Sequence, residues 1–130
     1  MTKASRKRVR VAIVGSRGFP KLDLVRNYVA GYEDWSPQPV IVSGGAPGVD
    51  SVAEMVAKRV GLKTRIILPN WNKYGKGAGF RRNAEILANA DRVVAFWDGL
   101  SKGTLHTIQL AAELGMPIKV FIRPHKPGKS

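Results

Sequence analysis

Short apolar runs alternate along this chain with longer stretches in which apolar residues recur every three or four positions. Val9, Val11, Ile13 and Val14 mark a first strand over Arg8 to Val14. Leu22, Val25, Val29 and Tyr32 are spaced for one face of a helix from Leu22 to Tyr32. Pro37 and Pro39 make Trp35 to Pro39 a loop. Val40 to Val42 then reads as a short buried strand. The clearest helix follows, with Val49, Val52, Ala53, Val56, Ala57 and Val60 on one buried face. Gly61 is placed to end it in a left-handed cap. Arg65 to Leu68 reads as the third strand, stopped by Pro69. Phe80 to Ala90 reads as a helix, Arg92 to Trp97 as a strand, and Thr104 to Leu114 as the last helix. Gly115 and Pro117 end that helix, and Ile118 to Ile122 is the final strand.

Strands that alternate with helices in this way imply a parallel sheet covered on both faces. The expectation is an α/β fold: a single Rossmann-like, doubly wound parallel sheet of about five strands. The predicted strand order is 3-2-1-4-5, with the switch point between strands one and four. Right-handed crossovers then bring every strand-to-helix loop to one edge. The similar turns Val60-Gly61-Leu62 and Leu114-Gly115-Met116 suggest one repeated way of leaving a helix. The domain is expected over residues 8–123, between basic tails at 1–7 and 124–130.

Composition narrows the function. A chain of 130 residues, 44% hydrophobic, suits one domain with a real core. No apolar run approaches the ~20 residues of a membrane helix, and the basic start lacks a signal peptide's apolar segment. With no cysteine, disulfides and thiolate metal sites are excluded. A cytoplasmic location is the default expectation. The net charge is +13, and most of the excess lies at the ends. Residues 1–10 hold five Lys/Arg and residues 119–130 hold four, with no Asp or Glu in either segment. The rest carries 13 basic and nine acidic residues. The ends suit either solubilising tails or phosphate contacts to nucleic acid.

Four predicted loops bear phosphate-friendly residues. Gly15-Ser16-Arg17-Gly18 follows the first strand. Ser43-Gly44-Gly45-Ala46-Pro47-Gly48-Val49-Asp50 joins the second strand to its helix. The long segment from Asn70 ends in Arg81-Arg82-Asn83, and Asp98 to Thr104 ends in Lys102-Gly103-Thr104. Glycines let backbone N–H groups turn toward an anion, and a helix N-terminus adds its dipole. Asp50 suits either a ligand or the capping of free N–H groups in the first helical turn. Arg82 can pair with phosphate and Asn83 can read a base or ribose. Ser101 or Thr104 suits the N-cap of the last helix. Trp71, Tyr74, Phe80 and Trp97 lie in or beside the loops, where they can stack on a base or pack in the core. No Gly-Lys-Ser/Thr ends a loop, and the dinucleotide spacing is absent, which argues against ATP hydrolysis and nicotinamide binding. His106 has neither a cysteine nor a second nearby histidine, so it reads as structural and no metal is expected. No cofactor is called for.

At these loops the chain resembles the SLOG superfamily, and within it the small YspA- or YpsA-related proteins. The resemblance runs from about Val9 to Phe121. It rests on Val14-Gly15-Ser16-Arg17, the Ser43-to-Asp50 segment, Arg82-Asn83 and Gly103-Thr104. It implies a Rossmann-like domain that binds nucleotides, nucleotide derivatives or nucleic acid at Gly15, Ser16, Arg17, Ser43, Gly44, Gly45, Gly48, Asp50, Arg82, Asn83, Gly103 and Thr104. It also implies a homodimer. The related Lonely Guy enzymes cleave the N-glycosidic bond of nucleoside monophosphates with an Arg, matched by Arg82, and a Glu. That Glu lies three residues past the Gly-Thr pair, where this chain has Thr107. A hydrolase would need another carboxylate, and Glu85, on the helix after Arg82, is the candidate. A single-stranded DNA binder, like the DNA-processing protein A group, is the remaining alternative.

Overall fold

The computed structural model describes residues 8–124. The predicted tail 1–7, and the predicted tail 124–130 beyond its first residue, lie outside the described residues. Five strands form one all-parallel sheet in the order β3-β2-β1-β4-β5. They are β1 (Arg10–Gly15), β2 (Val40–Ser43), β3 (Lys63–Ile66), β4 (Arg92–Trp97) and β5 (Ile118–Ile122). The predicted order holds, and the switch point falls between β1 and β4, which pair from Val11 with Arg92 to Gly15 with Phe96.

The helices are α1 (Leu22–Ala30), α2 (Val49–Arg59), α3 (Trp71–Tyr74), α4 (Ala78–Ala88) and α5 (Lys102–Glu113). Alternation along β1 divides the core into two layers. Val11 and Ile13 pack with Val25 and Val29 of α1 and Val52 and Val56 of α2. Ala12 and Val14 pack with Ile86 and Leu87 of α4 and Ala111 of α5. β4 is buried from Val93 to Phe96, so it reads as a continuous apolar run. Phe96 is fully buried, stacked on Phe121 at 5.1 Å and met edge-on by Phe19 and Tyr28.

The repeated turn is real. Gly61 and Gly115 both have positive φ, +82° and +69°. Leu62 N–H donates to the Ala57 carbonyl, as Met116 N–H does to Ala111. These are the bonds of a Schellman cap, which satisfies carbonyls the helix end leaves open.

Several boundaries differ from the expectation. α1 stops at Ala30, and Gly31–Asp34 continues as a 3₁₀ turn. β3 begins at Lys63, two residues before the expected start, because Lys63 pairs with Val40 at the sheet edge. β3 also ends at Ile66, two residues short of the expected Leu68, and all four of its residues are exposed. The long third loop contains α3, capped where the Asn70 carboxamide oxygen accepts from Lys73 N–H at 3.1 Å. α4 starts at Ala78, so Arg81, Arg82 and Asn83 lie within it and do not open it. α5 starts at Lys102, and Ser101 is its N-cap, accepting from Thr104 N–H.

Candidate functional site

The fold gathers all four predicted loops around one cleft of about 390 Å³ at the carboxyl edge of the sheet. Gly15, Arg17, Asp50, Arg82, Asn83, Gly103 and Thr104 line it, together with Trp71, Phe80, Asp98 and Thr107. The wall therefore combines cations, small backbone turns and two aromatic rings.

Arg82 sits at the centre of the arrangement. Its Nη1 donates to the Gly44 carbonyl at 2.5 Å, and its Nε donates to Asn83 Oδ1 at 3.2 Å. A Cβ on Gly44 would stand 2.6 Å from that Nη1, so only glycine leaves the guanidinium its seat. Asn83 is buried and extends the link through Nδ2 to the Gly103 carbonyl and the His106 ring, each at 3.4 Å. The Arg82–Asn83 pair thus ties the second loop, α4 and α5 together. Burial lowers the Arg82 pKa from its ordinary value, the Asp50 charge opposes this, and the neighbouring Arg17 charge adds to it. The guanidinium stays charged across the physiological range. Two cations are thereby held close enough to repel, which an anion between them would relieve.

Asp50 has a different task from capping its own helix. Its Oδ2 accepts from the N–H groups of Gly44 and Ala46, each at 3.2 Å. The carboxylate therefore occupies part of the glycine loop's N–H cup. It is 5% exposed, and burial pushes it up to about 6 against the pull of the Ala46 N–H and Arg82. Gly48 closes the other side of this loop at φ +86°, where a Cβ would stand 2.7 Å from the Arg17 carbonyl oxygen.

Ser16 and Ser43 are not brought to the cleft wall. Ser16 Oγ donates to Asp98 Oδ1 and accepts from Asp98 N–H, both at 3.1 Å, and lies 3.3 Å from Thr104 Oγ1. It locks the β1 loop to the β4 loop at the switch point. Ser43 Oγ donates to Glu54 at 2.5 Å, with the residue fully buried. Gly44, Gly45 and Gly48 shape the second loop, while Ala46 is its contribution to the wall. Glu85 is exposed and is not part of the wall, so the carboxylate expected to stand in for the missing Glu is in the wrong place. α4 turns its position toward solvent, while Asn83, Ile86 and Leu87 face inward.

In the sequence Asp98 marks only the start of a loop, yet it lines the cleft and accepts from the N–H groups of Leu100 and Ser101 at 2.9 and 2.8 Å. A carboxylate directly after a strand at the predicted switch point was the available signal. Trp71 and Phe80 line the cleft while 56% and 52% exposed. Trp71 lies beside Gly79, where a Cβ would stand 3.8 Å from the ring. Phe80 packs on the His106 ring at 4.4 Å, and Arg81 lies 4.3 Å over Tyr74. Trp97 is half-buried and donates from its ring N–H to the Ser101 carbonyl, a packing role. Among the described residues no group of three or more metal-ligating side chains occurs, and no helix is long and apolar enough to cross a membrane.

Charge within the fold is strongly polarised. Residues 55–84 hold eight Lys/Arg and no Asp or Glu, whereas residues 11–54 and 85–118 together hold five basic and nine acidic residues. Lys73, Lys76, Arg81 and Arg82 of this run belong to α3, α4 and the turn between them.

Comparison with known proteins bears on the fold and the family. Gene 61 protein of Mycobacterium phage D29 is 35% identical over 119 residues, which cover 86% of this chain and 95% of that protein. The structure of DNA processing protein A from Streptococcus pneumoniae superposes with a TM-score of 0.73 at 27% identity over 94% of this chain. The chain spans only about half of that protein, 52% of its length. DNA processing protein A from Helicobacter pylori, whose structure was described for its single-stranded DNA binding mode, shares the fold with a TM-score of 0.67 at 24% identity. That match covers all of this chain and 72% of the other. Residues 9–74 match the model of the YspA, cpYpsA-related SLOG family, and the chain belongs to that family.

Proposed function

We propose that the cleft binds a phosphorylated nucleotide or nucleotide derivative. The observation that carries this reading is the pairing of Arg17 and Arg82 in one cleft whose mouth holds two exposed aromatic rings. The arginines suit a phosphate, and Trp71 and Phe80 offer faces for a base. The cleft volume lies within the range of small-molecule sites. Binding is favoured over N-glycosidic hydrolysis. Thr107 stands where the related hydrolases have their Glu, and the cleft carboxylates Asp50 and Asp98 are both engaged by loop N–H groups.

Titration with a nucleoside 5′-monophosphate should quench tryptophan fluorescence, and Trp71→Phe should remove most of that change. Ribose 5-phosphate should compete without quenching. If neither compound perturbs the protein or displaces the other, the nucleotide reading fails.

Single-stranded DNA is the second reading. The acid-free run 55–84, with Trp71, Tyr74 and Phe80 inside it, favours a strand that leaves the cleft across α3 and α4. The Helicobacter pylori neighbour binds single-stranded DNA, although that likeness is one of fold. A DNA ligand would bind more tightly as an oligonucleotide grows from one to several residues. A mononucleotide ligand would show no such gain.

A further inference from the structure

We infer that the exposed edge formed by β3 and α2 is a docking site for an extended peptide segment that alternates acidic and apolar side chains. β3 is the outer strand of the sheet, paired on one side with β2 alone. All four of its residues are exposed. Beside it lies a groove of about 460 Å³ whose wall includes Met55, Lys58 and Arg59 of α2 and Thr64 and Ile66 of β3. This groove is separate from the nucleotide cleft and shares no lining residue with it.

The strand's two-residue period dictates the partner's chemistry. Thr64 and Ile66 line the groove on the α2 side, so Lys63 and Arg65 project to the opposite face. An added strand would set alternate side chains against these two surfaces. On the groove side it would meet Met55 and Ile66, which are 53% and 47% exposed, and then Lys58 and Arg59. On the other side it would meet Lys63 and Arg65. Glu54, the carboxylate in the groove wall, accepts a hydrogen bond from Ser43 and is turned toward β2.

Charge selects among occupants. A second copy pairing through β3 would bring Lys63 and Arg65 against themselves, and like charges directly opposite are destabilising. The same cationic edge that discourages self-pairing attracts an acidic strand. Nucleic acid fits this edge less well. No aromatic ring lines the groove, and a sugar–phosphate chain cannot complete the backbone ladder of a strand.

The test uses a fluorescein-labelled eight-residue peptide of alternating Glu and Val, followed by anisotropy with the full-length protein. Saturable binding is expected. It should fall at least tenfold in the Lys63→Glu/Arg65→Glu variant, whose exposed substitutions leave the core untouched, and in the wild type when Pro replaces the two central Val residues. Amide exchange should slow on β3 when the peptide is bound. Three results would overturn the proposal: no saturable binding, equal binding by the charge-reversed protein, or equal binding of the proline peptide. Oligothymidylate displacing the peptide, with a charge-reversal loss as large as the peptide's own, would also reject it and assign the edge to nucleic acid.

Discussion

The side chain of Asp50 shows how one buried charge can hold a loop from within a cleft wall. Its carboxylate holds the Gly44 and Ala46 N–H groups and lies within electrostatic reach of Arg82. Because burial raises its pKa to about 6 from 3.8, the native state binds the proton more tightly than the unfolded chain does. That contribution is present in full below about pH 4 and is lost as pH rises through 6. Asp50→Asn keeps an acceptor for the loop and removes the titration. The variant should therefore gain stability relative to wild type between pH 4 and pH 7, by up to about 3 kcal/mol. Urea unfolding at several pH values measures this, and parallel curves for the two proteins would refute it. Sequence alone left Asp50 open between ligand and cap. The structure replaces the cap of its own helix with contacts to the preceding loop, because a first-turn carboxylate can bend back when glycines leave N–H groups there. Glu85 failed for a simpler reason: three residues past Arg82 is a helical neighbour in sequence, but α4 turns that position to solvent.

At the level of elements, the strongly buried strand β4 was legible, and the fully exposed strand β3 was not. β4 falls where the apolar pattern put it, since β1 and β5 flank it and bury it as a continuous run, and β5, at the other edge of the sheet, keeps its expected bounds between Pro117 and Pro124. β3 slipped by two residues because all four of its residues are exposed, so no buried face marks its bounds. α3 was hidden because its four residues make one turn, too short to show a helical period, and Gly75 ends it at once. The Gly48 turn between β2 and α2 makes a direct test of element joining. Gly48 and Gly61 both have positive φ, yet a Cβ at Gly61 would meet nothing within 4 Å, while one at Gly48 would strike the Arg17 backbone. Gly61→Ala should cost about 1 kcal/mol from backbone strain, and Gly48→Ala distinctly more, on the order of 2–4 kcal/mol. Thermal or denaturant melts that rank them equally would show that the Arg17 contact yields easily. The same clash should displace the Arg17 loop and so weaken ligand binding in the Gly48 variant alone.

For the whole molecule, the sheet order and the placement of the loops at one edge followed from the alternation of strands and helices. The charge map did not. A fold with 13 basic and nine acidic residues between the ends looks mildly positive, but the cations cluster in residues 55–84. We therefore expect two separable contributions to any single-stranded DNA affinity. Removing residues 1–7 and 126–130 should flatten the salt dependence, whose log–log slope is about −0.7 per phosphate neutralised. Changing Lys73, Lys76 and Arg81 to Gln should flatten it further and lower affinity for oligonucleotides more than for a mononucleotide. An unchanged slope after both alterations would remove the DNA reading. The central claim is that Arg17 and Arg82 together hold a ligand phosphate in the cleft. Calorimetry of a nucleoside 5′-monophosphate binding to wild type, Arg17→Ala and Arg82→Ala, with melts to confirm that each is folded, tests it most directly. Each folded variant should lose about 1.5–3 kcal/mol, roughly ten- to more than a hundredfold in affinity. Equal affinity for all three would contradict it.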